Sequence, residues 1–171
     1  AVALSSCSSF VSDDIERAVS NDFPPEMVGV WQTDENSTTK SRWAFKFESD
    51  GTIKKMIHGQ AGPVVLQEGG VEGAGYFENS EYVFVFGDVL VDYLKEDKTI
   101  KVLVPVDYFK IKLPQGSIQG SMKDIFVGKV STDGKKWITK RFTYCDIDGA
   151  VSPSEDFVNR NADMVIFYKV D

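Results

Sequence analysis

Histidine is almost missing from this sequence: there is one, at position 58, in 171 residues. That count excludes a zinc centre built on imidazoles, and two cysteines with one histidine show no recognisable ligand spacing. A Ser-His-Asp triad would have to be built on His58. No Gly-x-Ser-x-Gly turn is present and the serines fall in loops, so His58 reads as a structural residue. Long apolar runs are missing too. None approaches the roughly 20 residues a bilayer-spanning helix needs, which argues against an integral membrane segment. Lysine and arginine form no run with interleaved aromatics. With 19 of them against 26 Asp and Glu, the net charge is -7, which repels a phosphate backbone and makes nucleic acid a poor partner. The glycine-rich stretch 59–75 lacks the Lys-Ser/Thr ending of a phosphate loop. "DIDGAVSPSED" (146–156) has the acidity of a calcium loop, but Gly149 comes too early and Ser152-Pro153 suit a helix cap. No catalytic set, metal site or cofactor motif emerges. The chain reads as more in keeping with a binding protein than an enzyme.

What the sequence has is aromatic residues: twelve Phe, six Tyr and three Trp, whose flat rings favour pleated surfaces. Residues 12–21 ("SDDIERAVSN") predict a short helix, with Ser12 as its cap and Ile15, Ala18 and Val19 as its apolar stripe. "FPPE" stops it. From there the period is two. Trp43, Phe45 and Phe47 alternate with Arg42, Ala44, Lys46 and Glu48, and "ESDGT" turns the chain into "TIKKMIH" as an Asp-Gly hairpin. "EYVFVFG", "VLVDYLKE", "TIKVLVP", "VDYFKIKL", "GSIQGSMKDIFVGKV" and "KWITKRFTYC" follow as strands, with "STDGK" as a second Asp-Gly turn. "SPSEDFVNRN" (152–161) carries Ser at N-cap, Pro at N1 and Glu at N3, a capping box, before the final strand "DMVIFYKV".

The expected fold is all-β: an antiparallel up-and-down barrel of 8–10 strands, with a short N-terminal helix and a short helix before the last strand. Residues 1–22 would form tail and helix, and 23–171 a single barrel domain. If its aromatic faces point inward, Trp43, Phe45, Met56, Tyr82, Phe84, Phe86, Phe109 and Phe142 line an apolar cavity able to hold a lipid or pigment. The same rings could instead interdigitate and leave no cavity. The first case describes a carrier for a small apolar ligand. The second describes an accessory or scaffolding subunit that docks onto a larger protein complex.

"MVGVWQT" (27–33) adds a family resemblance. Gly29-x-Trp31 on the first strand, after a short helix and before a long antiparallel meander, resembles the lipocalin and calycin families. The resemblance implies that Trp31 packs across the closed end of the barrel beneath an arginine from late in the chain, for which Arg141 and Arg160 are candidates. The second family motif, Thr-Asp-Tyr, has two counterparts with valine in first place, Val91-Asp92-Tyr93 and Val106-Asp107-Tyr108.

The opening residues "AVALSSCSS" suggest export. Ala1-Val2-Ala3 has the form of a signal-peptidase site, and Leu4-Ser5-Ser6-Cys7 that of a lipobox. An extracytoplasmic location is expected: secreted, periplasmic as a lipoprotein, or in an organelle lumen. Asn36-Ser37-Thr38 matches a glycosylation sequon. Cys7 is open to three fates: lipidation, a free thiol, or a disulfide with Cys145. That bridge would close a loop worth roughly 4–5 kcal/mol in the chain-entropy picture.

Overall fold

The computed structural model describes residues 23–34, 42–59, 62–65, 83–148 and 163–170. Both expected helices, 12–21 and 152–161, lie outside them, as do Cys7, Asn36, Tyr82 and Arg160. Among the described residues the only helical turn is a short 3-10 segment, Pro25–Met27, which starts where proline at N1 presets the backbone.

Ten strands follow: β1 Gly29–Thr33, β2 Ala44–Phe47, β3 Ile53–His58, β4 Gly62–Val65, β5 Val83–Phe86, β6 Leu90–Leu94, β7 Thr99–Leu113, β8 Gly116–Val130, β9 Lys136–Ile147 and β10 Asp163–Val170. All pair antiparallel in one sheet of order β4-β3-β2-β1-β10-β9-β8-β7-β5, with β6 also on β7. The Asp-Gly turns fall where expected, with Gly51 at φ +86° and Gly134 at φ +73°, a region that costs glycine little. Asp50 and Asp133 brace these turns. Asp50 accepts from the Thr52 hydroxyl at 2.6 Å, and Asp133 accepts from the Lys135 amide at 3.0 Å.

Two expectations are corrected at β5–β7. "TIKVLVP" and "VDYFKIKL" are one strand, running through Pro105 with a bulge between Val106 and Phe109. "EYVFVFG" and "VLVDYLKE" do not pair with each other. They lie end to end along the same edge of β7, with β6 opposite residues 99–103 and β5 opposite residues 106–110. Pro105 sits at the break between them, where its carbonyl accepts from Gly87. A strand residue's N and O point to the same side, so its missing N–H falls in a gap where no ladder partner is needed.

The sheet is curled. Ring contacts join strands far apart in its order: His58 on β3 lies 5.1 Å from Phe86 on β5, and Phe45 on β2 lies 5.4 Å from Phe126 on β8. Close strand approach needs glycine at the inward-facing position 128. A Cβ there would stand 1.8 Å from the Ile138 carbonyl oxygen. The indole of Trp137 uses the same place, donating to the Gly128 carbonyl at 3.1 Å.

The concave side holds the main core. Trp31, Phe45, Phe47, Phe126, Trp137 and Phe167 are fully buried, and the last five form a connected set of ring contacts, with Trp137 and Phe167 4.8 Å apart and Phe45 and Phe167 5.4 Å apart. Each ring removed from water contributes about 2–3 kcal/mol. A second, smaller cluster lies on the convex side, formed by Leu103 and Ile125 with Leu90, Val127, Phe142 and Tyr144.

Candidate functional site

Polar and charged side chains gather at three places: the Trp31 end of the sheet, its concave side, and a surface cleft.

At the first, the indole N–H of Trp31 donates to the Met27 carbonyl at 2.9 Å, tying the 3-10 turn to β1. Gly29 stands at φ +120°, a conformation other residues reach only with strain. Above the Trp31 ring, at 5.7 Å from its centre, lies the Lys169 ammonium, which also donates to the Glu26 carbonyl at 2.6 Å. The cation over Trp31 is therefore Lys169 of β10. Register explains the choice, because Lys169 is the residue directly opposite Trp31.

Arg141, expected there, stands elsewhere. It lies on β9 among inward residues, its Nη2 3.3 Å from the Asp163 carboxylate and its Nε 3.9 Å from Asp124. Asp124, only 4% exposed, also accepts from the Thr143 hydroxyl at 2.6 Å. Arg141 and Thr143 follow from the alternation of β9, in which Trp137, Thr139, Arg141 and Thr143 face inward. A buried arginine of this kind is tolerable only beside its carboxylates.

Next to this polar group is His58, 1% exposed, its ring 4.5 Å from Trp43 and 6.0 Å from Phe84. Burial among these rings, and secondarily the charge of Arg141, pushes its pKa down to about 3, so it is neutral at physiological pH. The indole N–H of Trp43 is buried without a hydrogen-bond partner, its edge pressed against Gly59. His58, Trp43, Arg141 and Asp124 together offer hydrogen-bonding chemistry. They do so within a packed interior, and among the described residues no three acidic, histidine or cysteine side chains converge to hold a metal ion.

The residues expected to line a cavity divide. Trp43, Phe45, Met56, Phe84, Phe86 and Phe109 all face the concave side and are only 0–4% exposed. They pack against each other, as in the Phe84–Phe109 pair at 6.5 Å and the stacked Phe84–Phe86 pair at 6.2 Å. Phe142 does not join them. It faces the convex side with Leu103 and Ile125, because the inward parity of β9 belongs to the odd positions. Tyr82 lies outside the described residues. Cys145 is half-buried on β9 and carries no disulfide. The expected bridge to Cys7 has no support, its other half lying outside the described residues.

The two Asp-Tyr stretches also part company. Asp92 of β6 is 1% exposed and stands opposite Lys101, whereas Asp107 lies at the β7 bulge beside Gly87. A cleft of about 520 Å³ opens at the turn end of the sheet, lined in part by Glu26, Tyr93, Lys98, Ser131 and Asp133. Among the described residues, no helix is long and apolar enough to cross a membrane. The residues that sequence reasoning missed are Lys169 and Asp124. A lysine at the end of an alternating strand and an aspartate within an apolar one carry no local signal of their partners. Comparison with protein-family models, curated proteins and solved structures yields no match for this chain.

Proposed function

We propose that this protein is a non-enzymatic accessory subunit: a filled, calycin-like barrel that serves as a rigid scaffold and docks through its outer face onto a partner much larger than itself. The observation that carries this reading is the burial of Trp43, Phe45, Met56, Phe84, Phe86 and Phe109, which are 0–4% exposed and packed ring against ring. A carrier of a lipid-sized molecule needs an interior space of about 300–1,000 Å³. Rings in mutual contact leave almost no surface against a void of that kind. The barrel form is supported by the curl that brings β3 to β5 and by the Gly29–Trp31–Lys169 arrangement at its base. An extracytoplasmic location, suggested by the first seven residues, suits such a role.

A second reading, a small-ligand carrier, is favoured by the cleft at the turn end, whose volume falls in the ligand range. Its lining is mixed rather than apolar. Native purification, intact-mass measurement and organic extraction decide between the two. The accessory role predicts a bare polypeptide mass and elution with a larger assembly. A stoichiometric extracted ligand would establish the carrier instead.

A further inference from the structure

The convex side of β8, β9 and β10 combines exposed lysines with exposed apolar side chains. Three exposed lysines project from it, Lys129, Lys136 and Lys140. Between them lie apolar side chains in register: Ile138 stands opposite both Lys129 and Ile166, and Met164 stands opposite Lys140. Met164 is 68% exposed and Ile138 is 42% exposed. From strand geometry, no two of the three lysines are more than about 13 Å apart at the backbone. The outward strand positions of this patch, 127, 129, 136, 138, 140, 164, 166, 168 and 170, hold no acidic residue, and the acidic side chain nearest in sequence to Lys136 is Asp133 of the adjoining turn. The whole chain carries a net charge of -7, so this is a basic, partly apolar face on an acidic protein.

We propose that this face docks on an anionic lipid bilayer. Charge complementarity names a negative partner, and the residue types select among negative partners. Specific protein interfaces are depleted in lysine and enriched in arginine, which grips carboxylates with a fixed fork. The patch has lysines and no arginine. Lysine stems extend over apolar neighbours while their ammonium groups reach a headgroup layer, and tyrosine sits well at that boundary. Tyr168 lies beneath Lys136, with 5.7 Å between the ammonium and the ring centre. Met164 and Ile138 would enter the shallow acyl boundary. Against a nucleic acid these two apolar side chains would meet only phosphates.

The proposal rests on the reading of a filled barrel that acts through its outer face. It is tested by flotation of the full chain with vesicles of phosphatidylcholine alone or with 30% phosphatidylglycerol, in 0.1 M and 0.5 M salt. Binding is expected only to the anionic vesicles and is expected to weaken at the higher salt. Each lysine at such a surface is worth about a factor of five, so K129Q/K136Q/K140Q should partition on the order of a hundredfold more weakly. M164S should weaken binding severalfold without changing its salt dependence, and K55Q, on the far part of the sheet, should bind like the parent. Tryptophan emission confirms that each variant is folded. Equal binding to both vesicle types, no vesicle binding, an unaffected triple variant, or tighter binding to a DNA duplex would each overturn the lipid partner. A failure of this kind in a ligand-free chain leaves the accessory reading intact. A ligand recovered by extraction overturns that reading whatever the vesicles show.

Discussion

Acid should unfold this protein earlier than its carboxylates alone would, and the cause would be His58. The imidazole is 1% exposed among Trp43, Phe84 and Phe86, with its pKa lowered from 6.5 to about 3, chiefly by burial. In the unfolded chain the ring takes up a proton near pH 6.5, whereas the folded chain refuses it until near pH 3. The stability from the neutral ring is therefore complete above pH 6.5 and drains away as pH falls towards 3. Linkage gives a loss of about 1.4 kcal/mol per pH unit within that window, or about 2 kcal/mol between pH 7 and pH 5. The difference between the parent and a His58→Phe variant isolates the histidine's share. Ordinary carboxyls titrate near pH 4, and those of Asp50 and Asp133 are held lower still, by hydrogen bonds first of all from Thr52 and Ser131. Urea unfolding followed by tryptophan emission at pH 7, 6 and 5 measures the loss directly. His58→Phe, which keeps a ring among rings, should remove it. Equal stability of the parent at pH 7 and pH 5, or an undiminished loss in the variant, would refute the account.

Lys169→Met should cost about 1–2 kcal/mol, since it removes the cation over Trp31 and the donor to the Glu26 carbonyl; urea midpoints read this. Asp124→Ala should cost about 3 kcal/mol or more, because Arg141 keeps its buried charge with only the half-exposed Asp163 beside it. Gly128→Ala should cost at least about 3 kcal/mol and shift the melting temperature accordingly, as backbone rather than a flexible side chain occupies the Cβ position. Met164→Ser should change stability by less than about 0.5 kcal/mol, measured in the same urea series, because that side chain is mostly in water.

Much of the strand pattern is legible in the sequence, for physical reasons that can be named. The alternation Trp43, Phe45, Phe47 puts three rings on one face, and each is buried. Asp-Gly pairs mark both turns because they need the left-handed backbone that glycine supplies. Proline misleads at position 105, where it looks like a strand end. Whether its absent N–H matters depends on a neighbouring strand, which the local sequence does not reveal. Phe142 misleads for a related reason. Hydrophobicity suggests that the phenylalanine faces inward, yet β9 turns its neighbour Arg141 inward instead, beside Asp124, which also accepts from Thr143. Lys169 becomes visible only with register, once β10 is laid against β1. Partnerships across the sheet, rather than local preferences, account for each miss.

The strand order carries a consequence for how the protein is made. β1 sits between β2 and β10, so Val30 and Trp31 wait for Val170 and Lys169, residues synthesised some 140 positions later. Until β10 emerges, the nascent chain carries two separate half-sheets, one ending at β1 and the other at β9, each with an unpaired edge open to foreign strands. Such distant closure is slow, and it ties the completion of the sheet to its last strand. Release of β10 is therefore the step that joins the two half-sheets and covers the edges of β1 and β9, and a chain shortened by its final strand would be a target for chaperones and proteases.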